Sequence, residues 1–498
     1  MLKTIRIISR KSLLAKIQAN IVADKIKEEF SNINIEFLTK ETSGDIDLST
    51  PLHQMPDPGV FTNDIREELL NNKADLAVHS WKDLPVELQV GTEIVTTLKR
   101  EDPRDFLILK QDSIDKEIIN IFTSSPRRKE NLARFLPEAL SWKPKKINFI
   151  DVRGNIQTRI SKLLNSNEDG LVIAFAAMKR LLSSPQFIEE ELHLLNFLKE
   201  SKWMILPLSE NPAAPAQGAL AIEIASHNLE LKDLIKKIGD EATFNLVTKE
   251  REILKKYGGG CHQKIGVTIL NTKKGEILNL KGETEGGDKI SESSFTPVPT
   301  FKNDLNSIES FFPSNASSSQ IFDRVPLTGV EEDVSNIKDS GVFVSRGNVL
   351  ENIKTISETN IVWTSGVETW KKLASQGIWV NGTSDSMGEN DNPPVGLFDK
   401  VKWFKLSHLD AKEDKLELLS TYQLVPKKLP KGIEKNSHYF WMSASSFKFV
   451  FNKFPSIENA NHACGMGKTF DEINQLIPGK VYPYQNYQDW LDKIIRAK

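Results

Sequence analysis

Residues 147–164, INFIDVRGNIQTRISKLL, place an apolar run, a turn and an amphipathic segment in direct succession. Residues 147–152 predict a buried strand, and Arg153-Gly154-Asn155 predicts the turn after it. Ile156, Ile160, Leu163 and Leu164 recur at helical spacing, so they lie on one face of a helix. The stretch therefore predicts a β-strand followed directly by an α-helix.

The same alternation extends across the first 220 residues. Further strands are predicted at residues 5–9, 74–79 and 171–176, and Ile17, Ile21, Ile26 and Phe30 predict a helix after the first of them. Strands alternating with helices favour a mainly parallel sheet that binds ligands at the carboxyl ends of its strands. A second α/β region is predicted over residues 340–498.

Composition excludes several classes of protein. The 498 residues include 65 Lys and Arg against 67 Asp and Glu, a net charge of -2, which gives no reason to expect nucleic-acid binding. No apolar run reaches the roughly 18 residues of a membrane span, so we expect no membrane partner. Two cysteines argue against a disulfide framework and favour a reducing compartment, so we expect a cytoplasmic protein.

A set of basic and small hydroxyl residues follows the predicted strands. The set comprises Arg10, Ser12, Lys82, Thr123, Ser125, Arg127, Arg128, Arg153, Arg159 and Arg180. If these turns face one cleft, they form a cationic site for a ligand with several carboxylates, because the arginine fork binds carboxylates bidentately. The alternative is that they are solvated surface residues, which is the usual environment of arginine.

Asp83 and Cys261 are the remaining candidates for chemistry. Asp83, in HSWKDLP (79–85), is expected to stay ionised among arginines and to stabilise a cation, or else to cap a helix. Cys261 follows three glycines, which leaves a thiol accessible, although a lone cysteine is often only a buried apolar residue.

These segments together resemble one family. RIISRKS, ADLAVHSWKDLPVE, REDPRD, TSSPRR, DVRGNIQTRISKL, AFAAMKRL, PAQGALAIE and GGGCHQKIG occur in the order typical of porphobilinogen deaminases, also called hydroxymethylbilane synthases. Eight ordered motifs over residues 1–270, with a resemblance extending to about 310, make the match specific.

The resemblance implies a role for each residue. An aspartate at the position of Asp83 interacts with pyrrole N–H groups and stabilises the cation formed when porphobilinogen loses ammonia. The cysteine matching Cys261 holds a covalent dipyrromethane, to which four substrates add before hydroxymethylbilane is released. The resemblance assigns cofactor binding to Lys82, Ser125, Arg127 and Arg128, and substrate binding to Arg10, Ser12, Thr123, Arg153, Arg159 and Arg180. It implies no metal.

The resemblance also implies an architecture. We expect an α/β fold with two periplasmic-binding-protein-like α/β domains, a small α/β domain bearing the cysteine, and a C-terminal α/β domain. The predicted boundaries are 1–100 plus 205–225, 101–204, 226–310, a linker at 311–339, and 340–498. We expect a monomer whose ligands are porphobilinogen and hydroxymethylbilane.

One segment departs from the family pattern. The family has a glycine- and lysine-rich loop where residues 53–63 read HQMPDPGVFTN, so Pro58 and Asn63 replace the expected lysines and Asp57 adds a negative charge. Substrate binding by this loop, or movement of the loop, is therefore expected to differ from that in the family. We still predict a working enzyme, because the arginines, Asp83 and Cys261 are all present.

The C-terminal region resembles uroporphyrinogen-III synthases. The resemblance rests on IVWTSGVETWKKLASQGIWVNGTSDSMG (361–388), YFWMSASSFKFVFNKFP (439–455) and HACGMGKTFDEI (462–473). It implies cyclisation of hydroxymethylbilane, with Ser365, Ser443 and Thr469 donating hydrogen bonds to product carboxylates. Two alternatives stay open: a degenerate, non-catalytic C-terminal domain, or a non-enzymatic anion-binding protein.

Overall fold

The computed structural model describes residues 3–42, 59, 62–87, 90–259, 263–296, 310–314, 320–351, 353, 355–387, 401–411 and 416–496. The chain divides into two compact units. The first comprises Met1–Pro137, Lys143–Leu270 and Leu278–Glu292, and the second comprises Glu138–Trp142, Asn271–Ile277 and Ser293–Lys498. The five-part domain division drawn from the sequence stays a prediction.

Strands and helices alternate through most of the described chain. The strands are β1 Thr4–Arg10, β2 Asn34–Lys40, β3 Leu76–Ser80, β4 Thr92–Thr96, β5 Asp105–Leu109, β6 Ile118–Phe122, β7 Lys146–Ile150, β8 Gly170–Ala174, β9 Lys202–Ile205, β10 Leu220–Ala225, β11 Gly266–Thr272, β12 Gly275–Glu283, β13 Lys289–Thr296, β14 Phe311–Phe312, β15 Phe322–Pro326, β16 Gly341–Val344, β17 Ile361–Thr364, β18 Gly382–Thr383, β19 Trp403–His408, β20 Glu417–Pro426, β21 His438–Trp441, β22 Asn461–Gly465 and β23 Val481–Tyr484.

The helices are α1 Leu13–Glu29, α2 Asn63–Leu70, α3 Pro126–Ala139, α4 Ile156–Leu164, α5 Phe175–Leu182, α6 Pro185–Glu190, α7 Leu192–Glu200, α8 Leu229–Lys236, α9 Glu241–Lys255, α10 Val330–Ser335, α11 Val367–Ala374, α12 Ala444–Lys453, α13 Lys468–Leu476 and α14 Tyr487–Arg496. The predicted α/β class is confirmed. No helix in the described part of the chain is long and apolar enough to span a bilayer.

The first sheet has the order β2-β1-β3-β10-β4. Strand β1 pairs in parallel with β2 and β3, whereas β10 runs antiparallel to β3 and β4. Ile5 and Ile7 of β1 are fully buried beneath Ala19, Val22 and Ile26 of α1. Because β1 and β3 run parallel, their carboxyl ends and the turns after them lie at the same edge of the sheet.

The second sheet repeats this plan, with the order β7-β6-β8-β5-β9. Strand β6 is parallel to β7 and β8, and β5 is antiparallel to β8 and β9. All five residues of β8 are buried, as a strand covered on both faces requires. The chain crosses from the first sheet to the second between β4 and β5, and it returns between β9 and β10.

Two further sheets lie in the second unit. The six-stranded sheet has the order β15-β20-β19-β16-β17-β18, and the four-stranded sheet has the order β14-β21-β22-β23 with all pairs parallel. Residues 311–339 were expected to be a linker. That expectation is wrong for the described part of the segment, because β14, β15 and α10 lie in it and Phe312 is buried against Trp441.

Candidate functional site

The turn after β3 presents Lys82 and Asp83. Trp81 is buried and lies 5.2 Å from the ring of Phe244, which fixes the start of the turn. Arg251 donates hydrogen bonds of 3.3 Å to the carbonyl oxygens of Trp81 and Leu84, on either side of the turn. The turn is therefore held from both ends, so Lys82 and Asp83 are positioned by the fold.

Arg159 has the candidate acid and three other candidate arginines as its electrostatic neighbours. The pKa of Arg159 is lowered to about 10, mainly by burial and also by Arg128, Arg153 and Arg10, while Asp83 acts to raise it. Its Nε donates to the carbonyl oxygen of Gly154 at 2.8 Å, which orients the guanidinium group. Asp83, Arg10, Arg128 and Arg153 are therefore all charged neighbours of Arg159, although they come from different parts of the first unit.

Arg127 and Arg128 are buried and share one carboxylate. Nη2 of Arg127 lies 2.8 Å from Oδ2 of Asp105, and Nη2 of Arg128 lies 2.7 Å from Oδ1 of the same residue. Burial raises the pKa of Asp105, but the two guanidinium charges outweigh burial and hold the pKa well below its usual value. Asp105 therefore stays ionised and fixes both arginines at the start of α3.

Arg127 and Arg128 differ in the hydrogen-bond acceptors that their Nη1 atoms contact. Nη1 of Arg127 donates to Asn211 Oδ1 at 3.1 Å and to Pro212 O at 2.7 Å, whereas Nη1 of Arg128 donates to Val172 O at 3.0 Å. Arg127 is therefore hydrogen-bonded mainly to Asn211 and Pro212, in the second crossing between the sheets (the segment from β9 to β10), rather than placed beside Asp83. Both arginines are charged neighbours of Lys82, but of the pair only Arg128 also acts on Arg159.

Lys82 is linked to the same network through Gln217. Its Nζ donates to Gln217 Oε1 at 3.0 Å, and Gln217 Nε2 donates to Asp105 Oδ1 at 2.9 Å. Burial lowers the pKa of Lys82 to about 8, Asp83 raises it and Arg128 lowers it. At pH 7 the side chain is mainly protonated, so it adds a cation beside Asp83.

The predicted hydroxyl residues serve mainly as caps and turn contacts. Ser12 Oγ accepts from Ala15 N at 3.4 Å and caps α1, and Ser125 Oγ accepts from Arg128 N at 3.4 Å. Thr123 is buried, and its Oγ1 accepts from Ser125 N at 3.3 Å. The contacts of Thr123 and Ser125 orient the helix that presents Arg128, whereas Ser12 caps α1, so the contribution of all three to the site is indirect.

Arg180 lies apart from the group around Asp83. Its Nη2 donates to Gly218 O at 2.7 Å, and its neighbour Lys179 pairs with Glu101 at 2.7 Å. Burial lowers the pKa of Arg180 to about 10, and Glu101 raises it. The last turn of α5 thus contacts both crossings between the sheets, and the assignment of Arg180 to substrate stays a prediction.

The cofactor cysteine and most of the altered loop lie outside the described residues. Cys261 is not described, and of the loop 53–63 only Gly59, Thr62 and Asn63 are. Gly259, two residues before the cysteine, has a φ of +66°, and a Cβ on it would lie 3.1 Å from Val86. The chain leading to Cys261 therefore passes directly beside the segment that follows Asp83.

The site fits a carboxylate-bearing, covalently attached group. The Nε atoms of Arg127 and Arg128 are buried and have no hydrogen-bond partner among the described residues. Lys82 and Arg159 both have Asp83 as a charged neighbour, and Arg10 and Arg153 act on Arg159. An excess of oriented guanidinium groups over acids suits a ligand with several carboxylates.

Sequence reasoning missed Asp105, Asn211 and Gln217. Asp105 and Gln217 lie inside motifs that carried the family resemblance, REDPRD and PAQGALAIE. Nothing in the local pattern distinguishes them from surface polar residues, because their partners lie more than 20 residues away along the chain.

Comparison with known proteins assigns the chain to a family. Residues 5–233 match the family model described as porphobilinogen deaminase, dipyromethane cofactor binding domain. The porphobilinogen deaminase of Caldicellulosiruptor saccharolyticus is 38% identical over 297 residues, which cover 59% of this chain and 93% of the relative. The chain belongs to the porphobilinogen deaminase family.

Other similarities agree with this assignment. The porphobilinogen deaminase of Clostridium novyi is 36% identical over 291 residues, 57% of this chain and 90% of its own length. The first part of the chain thus carries the dipyrromethane-binding domain of the family. Among solved structures, YhfZ from Shigella flexneri matches 51% of this chain and 98% of its own at 12% identity and a TM-score of 0.25, too distant to add to the assignment.

The three C-terminal candidates occupy turns after strands. Ser365 follows β17 and donates to Ser345 O at 2.7 Å, whereas Ser443 follows β21 and caps α12 by accepting from Ser446 N at 3.2 Å. Thr469 lies in the first turn of α13. The Ser365 hydroxyl is already donated to a backbone carbonyl, whereas the Ser443 hydroxyl accepts from Ser446 N and lies 2.9 Å from Ser446 Oγ, where either hydroxyl can donate.

Proposed function

We propose that the protein is a hydroxymethylbilane synthase that condenses four porphobilinogen molecules, with loss of ammonia, on a dipyrromethane attached to Cys261. The observation that supports the proposal is that Asp83, Arg10, Arg128 and Arg153 are all charged neighbours of Arg159, in a chain of the porphobilinogen deaminase family. Porphobilinogen and hydroxymethylbilane are its proposed ligands, and the cytoplasm is its proposed location.

The arginines bind and orient the substrate. Porphobilinogen carries an acetate and a propionate, and each suits a guanidinium fork. Fixing both side chains holds the pyrrole ring in one orientation and removes much of the entropic cost of the condensation. Arg153 and Arg159 are assigned to substrate, together with Arg10, while Arg128 and Lys82 are assigned to the cofactor carboxylates.

Asp83 acts on the reacting ring. Loss of ammonia leaves positive charge on the pyrrole, and a fixed carboxylate beside that ring lowers the energy of the charge as it develops. Asp83 can also accept hydrogen bonds from pyrrole N–H groups, which keeps the ring in the plane needed for attack. When bound, the dipyrromethane supplies the nucleophilic α-carbon and anchors the growing chain.

Exchange of Asp83 tests this assignment. Asp83→Asn keeps the shape of the side chain and removes its charge, so we expect porphobilinogen consumption to fall by at least about 100-fold. Asp112→Asn, at an exposed aspartate of the second sheet, is the matched control and should keep the wild-type rate. A rate for Asp83→Asn within twofold of wild type would remove Asp83 from the mechanism.

We further propose that the second unit cyclises hydroxymethylbilane to uroporphyrinogen III. This proposal is supported by two strand–serine–helix units, β17 with Ser365 and α11, and β21 with Ser443 and α12. A degenerate, non-catalytic unit is the alternative. Supplying synthetic hydroxymethylbilane decides between them: type III product would support cyclisation, and type I product alone would support the alternative.

A further inference from the structure

A cleft lies in the first unit between α4 and the start of α7. It has a volume of about 630 Å³, within the roughly 300–1,000 Å³ of small-molecule sites. One wall is α4 with the turn before it, and the other is Glu191 with the first turn of α7. Arg153 and Arg159 are not among the lining residues, so the cleft is separate from the proposed substrate site.

The two walls carry opposite charges. Lys162 on α4 is exposed, its Nζ donates to Arg153 O at 3.1 Å, and it has no carboxylate partner among the described residues. Oε1 of Glu191 accepts from Gln157 Nε2 at 3.2 Å, and Oε2 lies 3.9 Å from Nε2 of the exposed His193. Lys162 can therefore bind a ligand carboxylate, and Oε2 of Glu191 can bind a ligand ammonium group.

The remaining lining is mostly neutral and polar. Oγ1 of Thr158 donates to Asn155 Oδ1 at 2.9 Å, which holds both side chains at the start of α4. Leu194 is the apolar residue of the lining. A ligand that carries only carboxylates would bring one of them towards Glu191, and like charges placed together are unfavourable. The cleft therefore suits a molecule that carries both a carboxylate and an ammonium group.

The turn before α4 connects the cleft to the substrate arginines. Arg153 O accepts from Lys162, which lines the cleft, and Gly154 O accepts from Nε of Arg159 at 2.8 Å. Two adjacent carbonyl groups thus hold one side chain of the cleft and one of the substrate set. A ligand carboxylate that draws Lys162 away from Arg153 O removes a contact of this turn, so binding in the cleft alters how the turn presents Arg153 and Arg159.

We propose that this cleft is an effector site for a small molecule with both a carboxylate and an ammonium group, as porphobilinogen has. Lys162 binds the carboxylate, Glu191 binds the ammonium group, and Leu194 contacts the apolar part of the ligand. The site lies outside the one assigned to the condensation, and its effect on the KM rests on the proposed function. Because coupling is reciprocal, bound substrate weakens effector binding by the same factor.

Amide hydrogen exchange on the full chain tests the cleft with two probes, 4-aminobutyrate and porphobilinogen. Asp83→Asn serves as the parent protein for this measurement, so that porphobilinogen is not consumed. Probe binding should slow exchange in residues 191–195, which lie outside the proposed substrate site. Addition of Lys162→Gln and Glu191→Gln to the parent should raise the probe concentration needed for this protection by at least about tenfold.

A matched control is available on the same helix. Lys199 and Glu200 are exposed, carry the same two charges at the end of α7 and do not line the cleft. Lys199→Gln/Glu200→Gln should therefore show the protection of the parent protein. Protection by both probes, or by 4-aminobutyrate alone, supports the general class of ligand, whereas protection by porphobilinogen alone identifies the substrate as the effector.

Steady-state kinetics measure the coupling to the substrate site. In wild type, 4-aminobutyrate should raise the KM for porphobilinogen at least about twofold without lowering kcat. The double variant Lys162→Gln/Glu191→Gln should not respond. An equal rise in the double variant would indicate competition at the substrate arginines and would overturn the site.

Three exchange results would also overturn the site. They are no protection by either probe, equal protection of the parent with and without the two cleft substitutions, and equal protection by acetate, which has no ammonium group. Lys162→Gln alone keeps the test valid if the double variant does not fold, because Lys162 is exposed. Absence of porphobilinogen consumption by wild type would sink the proposed function, whereas protection of residues 191–195 would still report on the cleft.

Discussion

Arg159 and Arg180 belong to the same predicted set of strand-end arginines, yet their guanidinium groups lie in different surroundings. Arg159 neighbours Asp83, Arg128, Arg153 and Arg10, whereas Arg180 bonds to the second crossing. Position after a strand indicates the edge of the sheet at which a residue lies. It does not indicate the direction of a long side chain, because that direction depends on segments far away in sequence.

Paired substitutions separate these two roles. Arg159→Gln should raise the KM for porphobilinogen by about tenfold, because a ligand contact is lost. Loss of its part-buried hydrogen bond to Gly154 O should cost no more than about 1 kcal/mol of stability. Arg180→Gln should lower the free energy of unfolding by about 1–3 kcal/mol, because it leaves Gly218 O without its buried donor. Steady-state kinetics and thermal unfolding of both variants provide the comparison. A raised KM at unchanged stability in Arg180→Gln would return this residue to the substrate site.

Helix α1 illustrates the limit of periodicity at the level of an element. The spacing of Ile17, Ile21, Ile26 and Phe30 predicted the helix. The helix is present, but its buried face consists mainly of Ala15, Gln18, Ala19, Val22, Ala23 and Ile26. Alanines let a helix approach a sheet closely, and this preference for small residues is not visible in a pattern of large apolar ones.

A buried ionic cluster joins α2 to the first sheet. Glu223 on β10 lies 2.7 Å from Arg66 Nε and 2.9 Å from His79 Nε2, and Thr92 donates to it at 2.6 Å. Burial raises the pKa of Glu223, but the interactions with His79 and Arg66 outweigh burial and lower it to about 2. The cluster connects the helix that follows the altered loop to the strand that precedes Asp83.

The cluster predicts a stability loss with a defined dependence on pH. Because the folded pKa of Glu223 lies below its usual value of 4.5, the carboxylate contributes stability above about pH 4.5 and loses it as the pH falls towards 2. Glu223→Gln should lower the free energy of unfolding by about 3 kcal/mol at pH 7, since Arg66 would remain buried without its carboxylate.

Urea unfolding of the Glu223→Gln variant and wild type at pH 7 and pH 3 measures the effect. The difference between the two proteins should shrink at the lower pH. Glu210→Gln, at a partly exposed glutamate paired with Lys281, is the control and should cost less than about 1 kcal/mol. An equal loss for the Glu223 variant at both pH values would contradict the assigned protonation behaviour.

At the scale of the whole molecule, local alternation of strands and helices was enough to predict the α/β class. It could not reveal that β5 and β10 run antiparallel to their neighbours. Strand β10 begins at residue 220 and lies between β3 and β4, so its partners are more than 120 residues distant in sequence. Strands β14 and β15 were missed because they are short and lie among the serines, asparagines and prolines typical of loops.

Covalent attachment of a dipyrromethane to Cys261 is the central claim, and the mass of the intact chain tests it most directly. Protein from a host that makes porphobilinogen should be heavier than its sequence by one dipyrromethane, and the addition should survive denaturation. Cys261→Ala should lack both the added mass and activity. Cys464→Ala, at the buried free cysteine, should keep both. An unmodified wild-type chain, or an addition that persists in Cys261→Ala, would contradict the account.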